Sequence, residues 1–294
     1  MKAAFRVAGL VLAGLLITAV VVGLWKREEL TRLWAVNTLF EEDRIVENFS
    51  NMNRLFPTTP VPRGDFPPTP LVRGPTMDLP ESVSGWIDER NVTALVVLHD
   101  GEIVFEDYYQ GTDAADRRIS WSVAKSYLST LFGVLLDEGV IESLDDPVTK
   151  YAPALEGGAY DGATIRDVLN MASGVAFDED ITDFNSDLSR MGRVLALGRS
   201  MDDFAADLSE RAGEPGENWR YVSVDTHILG MVIRGATGRS IPELMSEKIV
   251  APLGLEAEPY YVTDGYGIAF VLGGLNMTTR DYARFGQMLL DGGE

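Results

Sequence analysis

The tetrapeptide Ser122-Val123-Ala124-Lys125 opens an apolar run, residues 123–136, that reads as a buried helix. Residues three apart on a helix share a face, so the Ser122 hydroxyl and the Lys125 amine meet within one turn. Ser122 falls in the first turn, where unpaired N–H groups and the helix dipole favour negative charge. A serine there can become an oxyanion, and a neighbouring lysine can take its proton. Lysine is otherwise scarce: Lys2, Lys26, Lys125, Lys150 and Lys248 are the full set, against a large arginine excess. Trp121 and Tyr127 flank the pair. Partial desolvation by such neighbours lowers a lysine pKa and lets the neutral amine act as a base.

A chain of 294 residues forms one large domain or two small ones. It has no cysteine, hence no disulfide framework and no thiolate chemistry. The formal net charge of −20 argues against nucleic acid or an anionic membrane surface as the main partner.

The N-terminus departs from that acidic character. Residues 7–25 carry no charge, and at 1.5 Å per residue they reach roughly 28 Å, enough to cross a hydrocarbon core. The free amine, Lys2 and Arg6 precede the run, while Lys26 and Arg27 follow it and weaken the asymmetry. The favoured expectation is an uncleaved membrane anchor with the rest of the chain on the extracytoplasmic, periplasmic side. The competing one is a cleaved signal peptide and a secreted protein, which the poor small-x-small cleavage pattern disfavours.

Residues 26–50 look helical and amphipathic. Eight prolines within 57–80 read as an extended linker. The expected organisation is therefore an anchor over 1–25, a juxtamembrane helix and Pro-rich linker over 26–80, and a catalytic domain over 81–294. Residues 92–99 and 102–109 are two β-rich runs joined by Asp100-Gly101, a strong two-residue hairpin signal. The first run is nearly all apolar, so a sheet covered on both faces is expected. Beyond residue 139 the chain reads as helical. Thr164/Asp167, Ser200/Asp203, Ser240/Glu243 and Thr278/Asp281 have helix-capping spacing, and Gly174, Gly238 and Gly292 supply stops. This is an α/β (α+β) pattern with an all-helical subdomain.

A second chemical element is Tyr221-Val222-Ser223, between a Gly/Pro-rich loop and an apolar helix. A phenol aimed into a cleft can pass a proton from serine to a leaving group. Tyr127-Leu128-Ser129 has the same pattern but points elsewhere on the Ser122 helix. The acidic loop 177–187 lacks a calcium loop's glycine, since Asp183 stands at the sixth position counted from Asp178. It reads as a solvated or pocket-rimming loop, with Glu179 a candidate substrate contact. His99 and His227 are the only histidines. Satisfied structural roles are expected for both, with no metal site and no cofactor. No Gly-x-Ser-x-Gly elbow is present.

Taken in order, Leu98-His99-Asp100-Gly101-Glu102, Ser120-Trp121-Ser122-Val123-Ala124-Lys125-Ser126, Asp145-Asp146-Pro147-Val148, the stretch 165–174, Tyr221-Val222-Ser223-Val224-Asp225-Thr226 and the stretch 273–286 resemble the serine β-lactamase/penicillin-binding-protein superfamily. The likeness is greatest to the class C β-lactamase-like group, which includes esterases and aminohexanoate-oligomer hydrolases. The resemblance implies a β-lactamase-like fold, an antiparallel sheet flanked by helices plus an all-helical subdomain. It implies Ser122 as acyl-forming nucleophile, Lys125 as base and Tyr221 as acid/base partner, with the Ser122 N–H as half of an oxyanion hole. Ser223 stands where β-lactamases of this group carry asparagine and the nylon-oligomer hydrolases carry serine, so Ser223 is a candidate substrate contact. The family domain ends in strands bearing a Lys/His-x-Gly-type motif. No such segment follows residue 286, so a domain lacking its C-terminal strands, an open hairpin edge and low turnover are expected. The partner implied is a small ester or amide, or a cell-wall peptide. A β-lactamase or D-Ala-D-Ala carboxypeptidase, and a non-catalytic binding protein of the same fold, are the alternatives.

Overall fold

The computed structural model describes residues 2–293; Met1, whose amine enters the topology argument, and Glu294 lie outside the described residues. Helix α1 (Lys2–Trp25) contains a segment, Phe5–Trp25, long and apolar enough to cross a membrane by length and composition, and none of its described residues is buried in the protein. Lys26 N–H donates to Val22 and Leu30 N–H to Lys26, so the helical bonding runs on with little interruption into α2 (Arg27–Asn37).

Two short helices follow, α3 (Ile45–Ser50) and α4 (Met52–Leu55), then strand β1 (Thr58–Pro60). These segments correct the expected boundary at residue 80. Ala35, Leu39, Met52, Phe56 and Val61 are buried in the main core, and β1 pairs with a strand some two hundred residues later. The prolines do keep the path extended, but an extended chain at a sheet edge is also a strand, and Pro60 at such an edge forfeits no ladder bond.

Helix α5 (Glu81–Glu89) leads to β2 (Ala94–His99) and β3 (Glu102–Tyr108). Asp100 and Gly101 both have positive φ, the geometry of a type I′ hairpin turn. The hairpin is a sheet of its own. Residues 72–77 cover the outer edge of β3 through three backbone hydrogen bonds, and α13 (Thr279–Leu290) ties to it by a bidentate Arg280–Glu106 pair. No strand lies on the other edge of β2 among the described residues, and Ala94–Leu98 are half-buried, not covered on both faces as their sequence suggests.

Strand β4 (Arg118–Ile119) runs straight into α6 (Val123–Asp137), whose Ala124, Leu128, Leu131, Phe132 and Leu135 fill the core. The helical region contains α7 (Ile165–Leu169), α8 (Asp187–Ala196), α9 (Met201–Ala206), α10 (Ser223–Thr237), α11 (Ile241–Met245) and α12 (Ala251–Leu253). All four capping pairs form: the hydroxyls of Thr164, Ser200, Ser240 and Thr278 accept from backbone N–H groups three residues on. Gly238, at φ 67°, ends α10 in the left-handed conformation. Strands β5 (Tyr260–Val262) and β6 (Leu275–Met277) complete an antiparallel sheet in the order β1-β5-β6-β4. The edge strand β4 thus delivers the chain to the start of α6, between the sheet and the helical region.

Candidate active site

Ser122 is the N-cap of α6. The residue before it, Trp121, has φ 44°, a conformation that a bulky side chain rarely adopts. Its ring is held by two aromatics of the N-terminal segment, Phe40 stacked at 5.4 Å and Phe49 edge-on at 5.4 Å. Packing therefore enforces the turn that presents Ser122. Among the described residues, the Ser122 N–H has no backbone acceptor, as expected for the first turn of a helix.

Lys125 Nζ donates to Ser122 Oγ at 3.1 Å and to the Leu272 carbonyl at 2.8 Å. Ser122 Oγ also shares a 2.8 Å hydrogen bond with Tyr221 OH. The three groups assembled on paper thus meet at one oxygen. Burial pushes the Lys125 ammonium below its ordinary value, more than Tyr221 and the Glu179 carboxylate restore it. Tyr127, the rejected alternative, is buried on the far side of α6 and stacks on Phe285 at 3.7 Å.

Ser223 and Glu179 also line the cavity, but they engage each other. Glu179 accepts from the Ser223 N–H at 2.5 Å and from its hydroxyl at 2.8 Å. The Ser223 hydroxyl therefore gives its proton to a carboxylate and keeps its acceptor lone pairs. This pair caps the start of α10, two residues after Tyr221, and so holds the phenol in place. Deeper in α10, Tyr160 donates to Asp225 at 2.6 Å, and burial raises the Asp225 carboxyl to about 7. His227 Nε2 and Arg234 both donate to Asp202, locking α9 onto α10. His227 is thus held as a structural histidine through Nε2, though its buried Nδ1 has no hydrogen-bond partner among the described residues, whereas His99 is exposed at the end of β2.

The carboxylates of the acidic loop cap their own turns: Asp178 accepts from Asp180 N–H, Asp180 from Thr182 and Asp183 from Asn185. Among the described residues, no group of three His, Asp or Glu is arranged to hold a metal ion.

A cavity of about 950 Å³ opens beside Ser122, Lys125 and Tyr221. Much of its wall comes from α2–α4 and the turns beside them, through Val36, Leu39, Phe40, Phe49, Met52 and Phe56, and faces α8. Sequence reasoning missed this wall, which it had set aside as a juxtamembrane helix and linker. It also missed the Leu272 carbonyl, a backbone group with no residue signature.

A family model described as Beta-lactamase matches residues 86–294. The chain belongs to the beta-lactamase family. Within this family, it is 33% identical over 254 residues to a 6-aminohexanoate-dimer hydrolase from Paenarthrobacter ureafaciens, covering 83% of this chain and 64% of that protein. A D-aminopeptidase from Brucella anthropi is 28% identical over 55% of this chain and 31% of its own length. These homologues are hydrolases. Among solved structures, a Bacillus anthracis protein provisionally assigned as a 6-aminohexanoate-dimer hydrolase superposes with a TM-score of 0.76 at 24% identity, over 87% of this chain and 71% of that one. A class C β-lactamase bound to cefoxitin gives a TM-score of 0.53 at 18% identity, over 70% of this chain and 62% of that one. The β-lactamase-like fold is common to these solved structures and this chain. The chain spans just under two thirds of the length of the 6-aminohexanoate-dimer hydrolase it matches.

Proposed function

We propose that this protein is a serine hydrolase that cleaves amide bonds, and the related ester bonds, through an acyl-enzyme on Ser122. The observation that carries the reading is the convergence of Lys125 Nζ and Tyr221 OH on Ser122 Oγ, at 3.1 and 2.8 Å. Its depressed pKa favours Lys125 as the base. Lys125 takes the Ser122 proton as Oγ bonds to the substrate carbonyl carbon. The Ser122 N–H, which has no backbone acceptor among the described residues, donates to the carbonyl oxygen as it becomes anionic. Tyr221 passes the proton to the leaving amine or alcohol as its bond to carbon breaks. Water then attacks the acyl-enzyme, giving its proton back through the same pair, and frees Ser122. Glu179 and Ser223 act as positioning residues for Tyr221. The named relatives act on amides, which supports that bond as the primary target. In the same reading α1 is an uncleaved anchor and the domain faces the extracytoplasmic side.

The test is turnover of a panel: 6-aminohexanoate dimer, p-nitrophenyl acetate, nitrocefin and a D-Ala-D-Ala peptide. Hydrolysis of the linear amide and the ester, lost in Ser122→Ala, is expected. Turnover confined to nitrocefin or to the D-Ala-D-Ala peptide would move the assignment to a β-lactamase or a carboxypeptidase. Inertness toward all four would favour a binding protein that keeps the fold.

A further inference from the structure

We propose that the substrate of this site carries a long hydrocarbon chain, which lies in the cavity beside Ser122 while its ester or amide carbonyl meets the nucleophile. The proposal rests on the catalytic reading above and extends it to a substrate class.

Three observations converge. The cavity is at the large end of small-molecule sites, and away from Ser122 its lining is mostly hydrocarbon. Leu39, Met52, Met191 and Val262 are buried on its wall. A polar substrate would leave its own hydrogen-bonding groups unpaired against such a surface, which is costly.

The rim is apolar as well. Ile181 and Phe184 line the cavity and are still 54% and 64% exposed, and Phe40 joins them at 46%. Large apolar side chains gathered at a mouth mark a surface that meets an apolar partner. Arg193 stacks on the Phe184 ring at 4.0 Å and donates to its carbonyl, so this part of the rim is held in place.

The wall is also joined to the apolar N-terminal helix. Val36 lies eleven residues beyond Trp25, which is roughly 16 Å of helix, and Arg32 fixes α2 to α8 by donating to the Ala196 carbonyl at 2.7 Å. With α1 in a bilayer, the cavity stands just above the membrane surface, where amphiphiles concentrate. This selects a chain-bearing amphiphile over a water-soluble apolar compound as the occupant.

The chemistry is unchanged. Ser122 Oγ bonds to the carbonyl carbon, the bond to the leaving amine or alcohol breaks, and that group departs with the proton relayed by Lys125 and Tyr221. Water completes the cycle.

The test is a chain-length profile of kcat/KM on the protein in detergent or vesicles. One series is p-nitrophenyl esters from acetate to octanoate, with the chain on the acyl side. The other is acetate esters from ethyl to octyl, with the chain on the leaving group. Each methylene taken out of water favours binding by up to about fourfold. One of the two series is expected to rise at least about thirtyfold from its shortest to its longest member. A Cβ at Gly192 would sit 3.7 Å from Val36, at the cavity wall. Gly192→Leu should therefore lower the ratio of longest to shortest ester at least tenfold. Flat or falling profiles in both series would overturn the proposal without any variant. Ser122 labelling by a short fluorophosphonate is read on the same sample. Labelling with flat profiles sinks only the chain-bearing substrate, whereas no labelling sinks the catalytic reading with it.

Discussion

Lys125→Ala is expected to slow acylation of Ser122 by about 10²–10⁴-fold, the range for loss of a positioned general base. Lys125 Nζ bridges the Ser122 hydroxyl and the Leu272 carbonyl, so no other basic side chain bonded to Ser122 takes its place. Only the neutral amine accepts a proton. Burial lowers the Lys125 pKa from 10.5, which brings the neutral form nearer to working pH. The wild-type kcat/KM should therefore rise with pH and level off at an apparent pKa below 10.5. That rising limb should vanish in Lys125→Ala. Stopped-flow acylation with a p-nitrophenyl ester across pH measures both. An alanine variant that acylates at the wild-type rate, with the same pH limb, would remove Lys125 from the base role.

Tyr221→Phe should lower turnover by about 10²-fold or more, the low end of acid–base contributions. The substitution deletes one oxygen, the one 2.8 Å from Ser122 Oγ, and keeps the ring beside Lys125 Nζ at 5.4 Å. The loss should be deepest for amides, whose leaving amine needs the proton more than p-nitrophenolate does. Tyr127→Phe is the matched control. The Tyr127 hydroxyl is buried with no partner among the described residues, so removing it forfeits no hydrogen bond and should leave turnover intact. Steady-state rates on an amide and an activated ester settle the comparison. A silent Tyr221→Phe beside a damaging Tyr127→Phe would reverse the assignment.

The parts legible in sequence are those that local rules specify. Ser122 and Lys125 meet because they are three apart at the start of one helix. The hairpin turn forms because Asp100-Gly101 tolerates positive φ at both positions. The four helix caps are three-residue patterns. Tyr221 is harder. It lies 99 residues from Ser122; its place between a Gly/Pro-rich loop and an apolar helix is a weak signal, which the order of the motifs in the resembled superfamily strengthens. The pairing of Glu179 with Ser223 spans 44 residues and carries no spacing rule. Ser223 stood out by the asparagine position it occupies in the resembled superfamily, which says nothing of the carboxylate its hydroxyl meets. The N-terminal segment was misread for a related reason. Its amphipathic pattern signals an apolar face but not what that face covers, and tertiary packing alone brings Phe40 and Phe49 onto Trp121. The half-buried β2 shows the converse: four successive apolar residues signal a covered strand, but covering depends on neighbours that a local run does not encode.

The account turns on one oxygen atom, and covalent labelling reads it directly. The protein is treated with a fluorophosphonate, digested, and the modified peptide located by mass spectrometry. The account predicts a single adduct on Ser122, formed faster as pH rises and absent in Ser122→Ala. An adduct on another residue, or none on folded protein, would contradict it.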